Sequence, residues 1–161
     1  MRAAALLASV VPFVLKTEDN PDGAPKAVFD GMIEGITKDR PGFFRDFFDT
    51  FYGQGTLRKA VSQGQLDQSF QHAMMAGLRP TLASVRAFST TDFRPDLPAF
   101  KVPTLIIHGT DDLTVPIASS ARPTAQEIGT STLLEYEGAP HGLFATHKER
   151  LTHDLLAFLG K

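Results

Sequence analysis

The chain has 161 residues, enough for one compact core, with 42% hydrophobic residues, 21% charged residues and a formal net charge of -2. A balance so near neutral argues against a nucleic-acid or membrane-surface partner. The absence of cysteine removes disulfide frameworks, thiolate metal sites and cysteine nucleophiles together.

Arg2 followed by the apolar residues 3–15 has the charge-then-apolar order of a secretory signal, but no small-x-small cleavage site with a polar start follows it. The same run, interrupted by Ser9 and Pro12, is too short to span a bilayer, and the cytoplasm is the default compartment. Residues 3–11 read instead as a buried parallel strand ended by Pro12. Asp, Asn, Pro and Gly crowd residues 16–25, which predicts a loop.

Residues 25–93 show helical periodicity and no strand. Pro25 suits a first helical turn, and Val28, Phe29, Met32, Ile33 and Ile36 recur at three- and four-residue spacing. Pro41 opens a second helix with Phe44, Phe47, Phe48 and Phe51 along one stripe and Arg45, Asp46 and Asp49 opposite. Leu66, Phe70, Ala73 and Met74 mark a third helix that stops near Gly77, and residues 80–88 predict a fourth. After a loop at 94–98, Thr104-Leu105-Ile106-Ile107 is a continuous apolar run rich in β-branched residues, a second buried strand. Ser119 and Ser120 are caps for a helix to about Ile128, stopped by Gly129; residues 132–136 form a third strand, and Leu151, Leu155, Leu156, Phe158 and Leu159 line a terminal helix.

Strand, helical block, strand, helix, strand, helix is an α/β arrangement with parallel strands and right-handed crossovers. On this reading residues 1–11 and 98–161 form the core, and residues 12–97 are a helical cap over the strand ends.

Two segments carry chemistry. The second strand runs into His108-Gly109-Thr110-Asp111-Asp112-Leu113-Thr114-Val115-Pro116, and the third into Gly138-Ala139-Pro140-His141-Gly142. Adjacent parallel strands would present a carboxylate and an imidazole at the carboxyl edge of the sheet, where open α/β sheets bind ligands. That is the supporting half of a Ser-His-Asp arrangement, in which the acid orients the ring and stabilises its protonated form. Each residue also has a plain structural reading. Asp112 suits a turn after glycine, His141 a surface turn, and the Phe stripe simple helix packing. His108 is expected to make a structural hydrogen bond, His147 and His153 fit a helix start and a helix face, and His72 lies on the cap. No H-x-x-x-H or H-E-x-x-H spacing points to a metal, and Gly53-Gln54-Gly55 lacks the preceding strand that a nucleotide site requires.

The segments H-G-x-D-D-x-x-V-P and G-x-P-H-G resemble the acid and histidine motifs of α/β-hydrolases, whose triad runs serine, acid, histidine. The tail from His141 to Leu159 and the opening residues 3–12 are similar to the bacterial non-haem haloperoxidase and aryl esterase branch. The resemblance spans essentially the whole chain. It implies the C-terminal part of an α/β-hydrolase fold, three parallel strands with flanking helices plus a cap insertion. It makes Asp112, three residues before the Val-Pro pair, the triad acid and leaves Asp111 solvated; His141 becomes the triad base. Phe44, Phe48 and Phe144 would then contribute to an acyl or aryl pocket roofed by the cap. The implied activity is hydrolysis of small carboxylic esters, or their perhydrolysis by peroxide, with no metal, haem or other cofactor. None of Ser9, Ser62, Ser69, Ser84, Ser89, Ser119, Ser120 and Ser131 lies in the family's G-x-S-x-G turn. The chain is therefore expected to be inactive alone, a truncated form of the enzyme. Its first strand would lack an outer neighbour and invite pairing with a second copy or with an N-terminal half. The alternative is a non-catalytic α/β module that associates through that edge.

Overall fold

The computed structural model describes residues 2–55 and 59–160. Three strands form one parallel sheet in the order β1-β2-β3: β1 (Ala4–Leu7), β2 (Thr104–Gly109) and β3 (Ser131–Tyr136). Ala4 pairs with Thr104 and Leu7 with Ile107 on one side of β2, while Thr104 pairs with Ser131 and Gly109 with Tyr136 on the other.

Central β2 is buried along its whole length because helices cover both faces of the sheet. Leu105 and Ile107 point to one face, where Tyr136, Leu143 and Leu151 pack with them. Ile106 points to the other and meets Ile117 and Ala121. Full burial of each such aliphatic side chain contributes about 1.5–3 kcal/mol. The first face is closed by α6 (Leu143–Thr146) and α7 (Lys148–Leu159), the second by α5 (Ala121–Glu127). Tyr136 fastens α7 to the sheet, its hydroxyl donating to Asp154 Oδ2 at 2.6 Å while the Arg150 guanidinium lies 3.8 Å from the ring centre.

Between β1 and β2 stand α1 (Lys26–Lys38), α2 (Arg40–Tyr52), α3 (Gln63–Met75) and α4 (Leu78–Thr90). Asp39 caps α2 by accepting the Gly42 N–H at 3.0 Å, and Gly53 ends it in the left-handed conformation at φ 66°. Ser62 caps α3 through Gln65 N–H at 3.2 Å. Val14, Phe29 and Val115 form a further buried cluster that joins this helical block to the sheet's end.

Three expectations differ from what is observed. The first strand is four residues rather than nine, since Ala8 turns to φ 44° and the Ser9 hydroxyl accepts the Val11 N–H. It lies at the sheet edge, paired among the described residues with β2 alone, so its residues alternate between half-buried and exposed instead of being covered on both sides. The loop at 94–98 is a 3-10 helix, Arg94–Ala99. Ahead of α5 a separate 3-10 turn, Ile117–Ser119, intervenes, and the Ser120 hydroxyl donates back to the Pro116 carbonyl at 2.8 Å and caps nothing; α5 itself runs to Glu127 with Ile128 as its C-cap, within a residue of the expected end. Among the described residues no helix is long and apolar enough to cross a membrane.

Candidate active site

The carboxyl ends of β2 and β3 are laced together by backbone. Thr110 N–H donates to the Tyr136 carbonyl at 3.0 Å, Asp111 N–H to the Ala139 carbonyl at 3.1 Å, and Gly138 N–H to Thr110 Oγ1 at 2.8 Å. This approach requires Gly109, because a Cβ there would overlap the Ala139 carbonyl. The two turns consequently face each other across a fixed gap, and the side chains that follow them meet.

Asp112 is 3% exposed, and four nitrogen groups crowd its carboxyl oxygens. Oδ1 accepts Thr114 N–H at 2.9 Å and Val115 N–H at 2.7 Å. Oδ2 lies 2.7 Å from His141 Nδ1 and 3.0 Å from His108 Nε2. Burial, the largest influence, opposes ionisation, yet the hydrogen bonds from His108, His141 and the Val115 N–H outweigh it and hold the carboxyl down at about 2. A carboxylate is thus maintained inside the protein next to an imidazole. With Nδ1 turned to Asp112, Nε2 of His141 is the ring nitrogen left for proton transfer.

His141 is held from the helical block as well as from the sheet. The Phe51 ring stands edge-on to the imidazole with 4.8 Å between centroids, and Gly142 N–H donates to the Phe51 carbonyl at 2.8 Å. A Cβ on Gly142 would overlap the Tyr52 ring, which is 2% exposed and whose hydroxyl is 2.8 Å from Ser69 Oγ. The end of α2 therefore forms the outer support of the histidine turn.

Beside this pair opens a cavity of about 910 Å³ between the block and the strand ends, with His141 in its wall. That volume is in the range of small-molecule sites, roughly 300–1,000 Å³. Val14, Phe29, Phe43, Phe44 and Phe47 give it an apolar lining. Of the three aromatic residues expected at a pocket, Phe44 alone is in that lining. Phe48 lies a turn along α2, stacked on Phe44 at 6.0 Å and on Tyr52 at 6.2 Å, and Phe144 is 51% exposed on the outer side of Phe51. Helical rotation explains Phe48, since the cavity-facing stripe of α2 runs through 43, 44 and 47.

Sequence reasoning missed Phe43, the Phe51–Tyr52 support and the contact of His108 with Asp112. A histidine four residues before the acid, at the exit of a buried strand, was the available signal for the last. Asp111, His72 and His153 stay outside the cluster and off the cavity wall, while His147 lies at 2.8 Å from Thr146 Oγ1, away from Asp112. Among the described residues no group of three or more His, Cys, Asp or Glu side chains is placed to hold a metal ion.

A family model described as the alpha/beta hydrolase fold matches residues 1–148. The chain is 38% identical to a non-haem chloroperoxidase of Kitasatospora aureofaciens over 163 aligned residues, which cover 100% of this chain and 59% of that protein. It is 38% identical to a bifunctional esterase/perhydrolase of Acinetobacter calcoaceticus, covering 97% of this chain and 57% of the relative. In structure it is similar to a bromoperoxidase from Bacillus anthracis, with a TM-score of 0.95 at 37% identity over 99% of this chain and 58% of the other. The chain thus spans less than two thirds of the length of each of these proteins.

Proposed function

We propose, from the premise that this chain belongs to the α/β-hydrolase family, that it is the acid-and-base portion of a hydrolase acting on small carboxylic esters, with peroxide accepted in place of water. One observation carries the reading: an ionised, buried Asp112 lies 2.7 Å from His141 Nδ1 at the wall of an apolar cavity. The Acinetobacter relative is itself a bifunctional esterase/perhydrolase.

In this reading a serine hydroxyl, supplied from outside these 161 residues, attacks the ester carbonyl while His141 Nε2 takes its proton. The imidazolium so formed is stabilised by Asp112 and returns the proton to the departing alkoxide. Water then attacks the acyl-serine with the same histidine as base, releasing acid; hydrogen peroxide in that step releases a peracid. Residues 12–97 form the roof of the acyl or aryl pocket, with Phe44 in its lining and Phe48 stacked behind Phe44.

The chain alone is expected to hydrolyse p-nitrophenyl acetate no faster than its His141→Ala variant. Co-expressed with the N-terminal half of a related hydrolase, it is expected to gain ester turnover together with fluorophosphonate labelling, and His141→Ala in that complex to lose turnover by several orders of magnitude. A stable complex that labels but shows no His141-dependent turnover would leave the second reading, a non-catalytic module. Association through β1 belongs to the same proposal, supported by the edge position of that strand and the 40% exposure of Leu7.

A further inference from the structure

His108 is fully buried at the end of β2 and the hydrolytic steps above make no use of it. Its Nε2 lies 2.8 Å from the Val115 carbonyl oxygen and 3.0 Å from Asp112 Oδ2. Both partners are acceptors, so the proton sits on Nε2. Nδ1 is buried without a hydrogen bond among the described residues, which suits a lone pair and leaves a second proton there without an acceptor.

A histidine needed only to fill the core would be satisfied by the Val115 carbonyl. The additional contact falls on Oδ2, the oxygen that also receives His141 Nδ1–H, while Oδ1 is already occupied by two backbone N–H groups. We propose that His108 is a positioning residue for the Asp112–His141 pair: by sharing Oδ2 it fixes the carboxylate and divides its attraction between the two rings. In a buried site of low dielectric, a donor dipole at this distance offsets a substantial part of the carboxylate's field at its other partner. The benefit is a ring that accepts a proton at Nε2 while its acid stays ionised. The catalytic meaning rests on the hydrolase reading, but the electrostatic claim concerns three side chains in this chain alone.

The surroundings of His141 leave few competing charges. From the turn after β2 come Asp112 and, through it, His108. Helix α2 contributes Phe51 and, behind Gly142, Tyr52 with its hydroxyl bonded to Ser69; α6 contributes Phe144. Asp22 lies on the cavity wall, and Asp111 and Glu137 are exposed on the flanking turns.

The test is a histidine NMR titration of the full 161-residue chain with ¹⁵N-labelled imidazoles, comparing wild type, His108→Leu and His108→Gln. His108→Leu removes the donor and is expected to raise the His141 pKa by about one unit. His108→Gln keeps an N–H within reach and is expected to bring it back to near the wild-type value. An unchanged or lowered value in His108→Leu, or no rescue by His108→Gln, overturns the proposal. Should the leucine variant fail to fold, long-range ¹H–¹⁵N spectra of the wild type decide: a proton on Nε2 of His108 across the His141 titration supports the assignment, and a proton on Nδ1 refutes it. Ester turnover plays no part in these readouts. An inactive reconstituted enzyme with the shift present would sink the hydrolase reading and spare this one; activity without the shift would do the reverse.

Discussion

Asp112 carries a pH dependence of its own. Its folded value of about 2 lies below the ordinary 3.8, so ionisation favours the folded state. That stabilisation is complete above about pH 4 and is lost as the pH falls towards 2, amounting to about 2 kcal/mol for a shift of this size. Urea unfolding of the wild type at pH 6 and at pH 2.5 is expected to show this loss, and Asp112→Asn should show a smaller one. Equal losses in the two proteins would mean that the carboxyl is not held by its donors. Neighbouring Gly142 is equally specific: Gly142→Ala drives a methyl into the Tyr52 ring and should cost about 2 kcal/mol or more, read as a lower urea midpoint at unchanged slope.

At the level of elements, β2 is the organiser, since both faces of the sheet are built on its alternating side chains. Ile106→Ala opens a cavity between β2 and α5 and is expected to cost about 2–5 kcal/mol, measured by urea unfolding. The elements that periodicity announces most plainly are observed close to where the pattern puts them. Examples are α1 with Phe29 and Ile36 buried, and α2 opened by Asp39 and Pro41 and closed by Gly53. The meeting of Asp112 and His141 is legible because parallel strands end on one edge, and a turn after each leaves little freedom. Illegible were features decided by competing hydrogen-bond partners and by how the helices pack. The Ser120 hydroxyl has a carbonyl from the preceding turn to bond, so it does not cap; Phe48 misses the cavity wall because the rotation of α2 is set by its packing on α1, α3 and α6, and Phe144, on α6, lies against Phe51 and Tyr52 instead. His108 reads as one more core residue until the fold brings Oδ2 to within 3.0 Å.

For the whole molecule, the edge strand sets the expected behaviour in solution. β1 presents an unpaired side and an exposed Leu7, a surface that favours another strand beside it. Size-exclusion chromatography with light scattering is expected to find the chain as a dimer or larger, and Leu7→Lys is expected to shift it towards monomer; a wild-type monomer at micromolar concentration rules the association out. Finally, Phe51 in the last turn of α2 lends its carbonyl to the turn bearing the imidazole, so the helical block and the His141 ring hang from one joint. A swing of that helix wide enough to admit a bulky guest must tug the ring with it. Slackening the joint would therefore change how guests enter and how protons move at the same time.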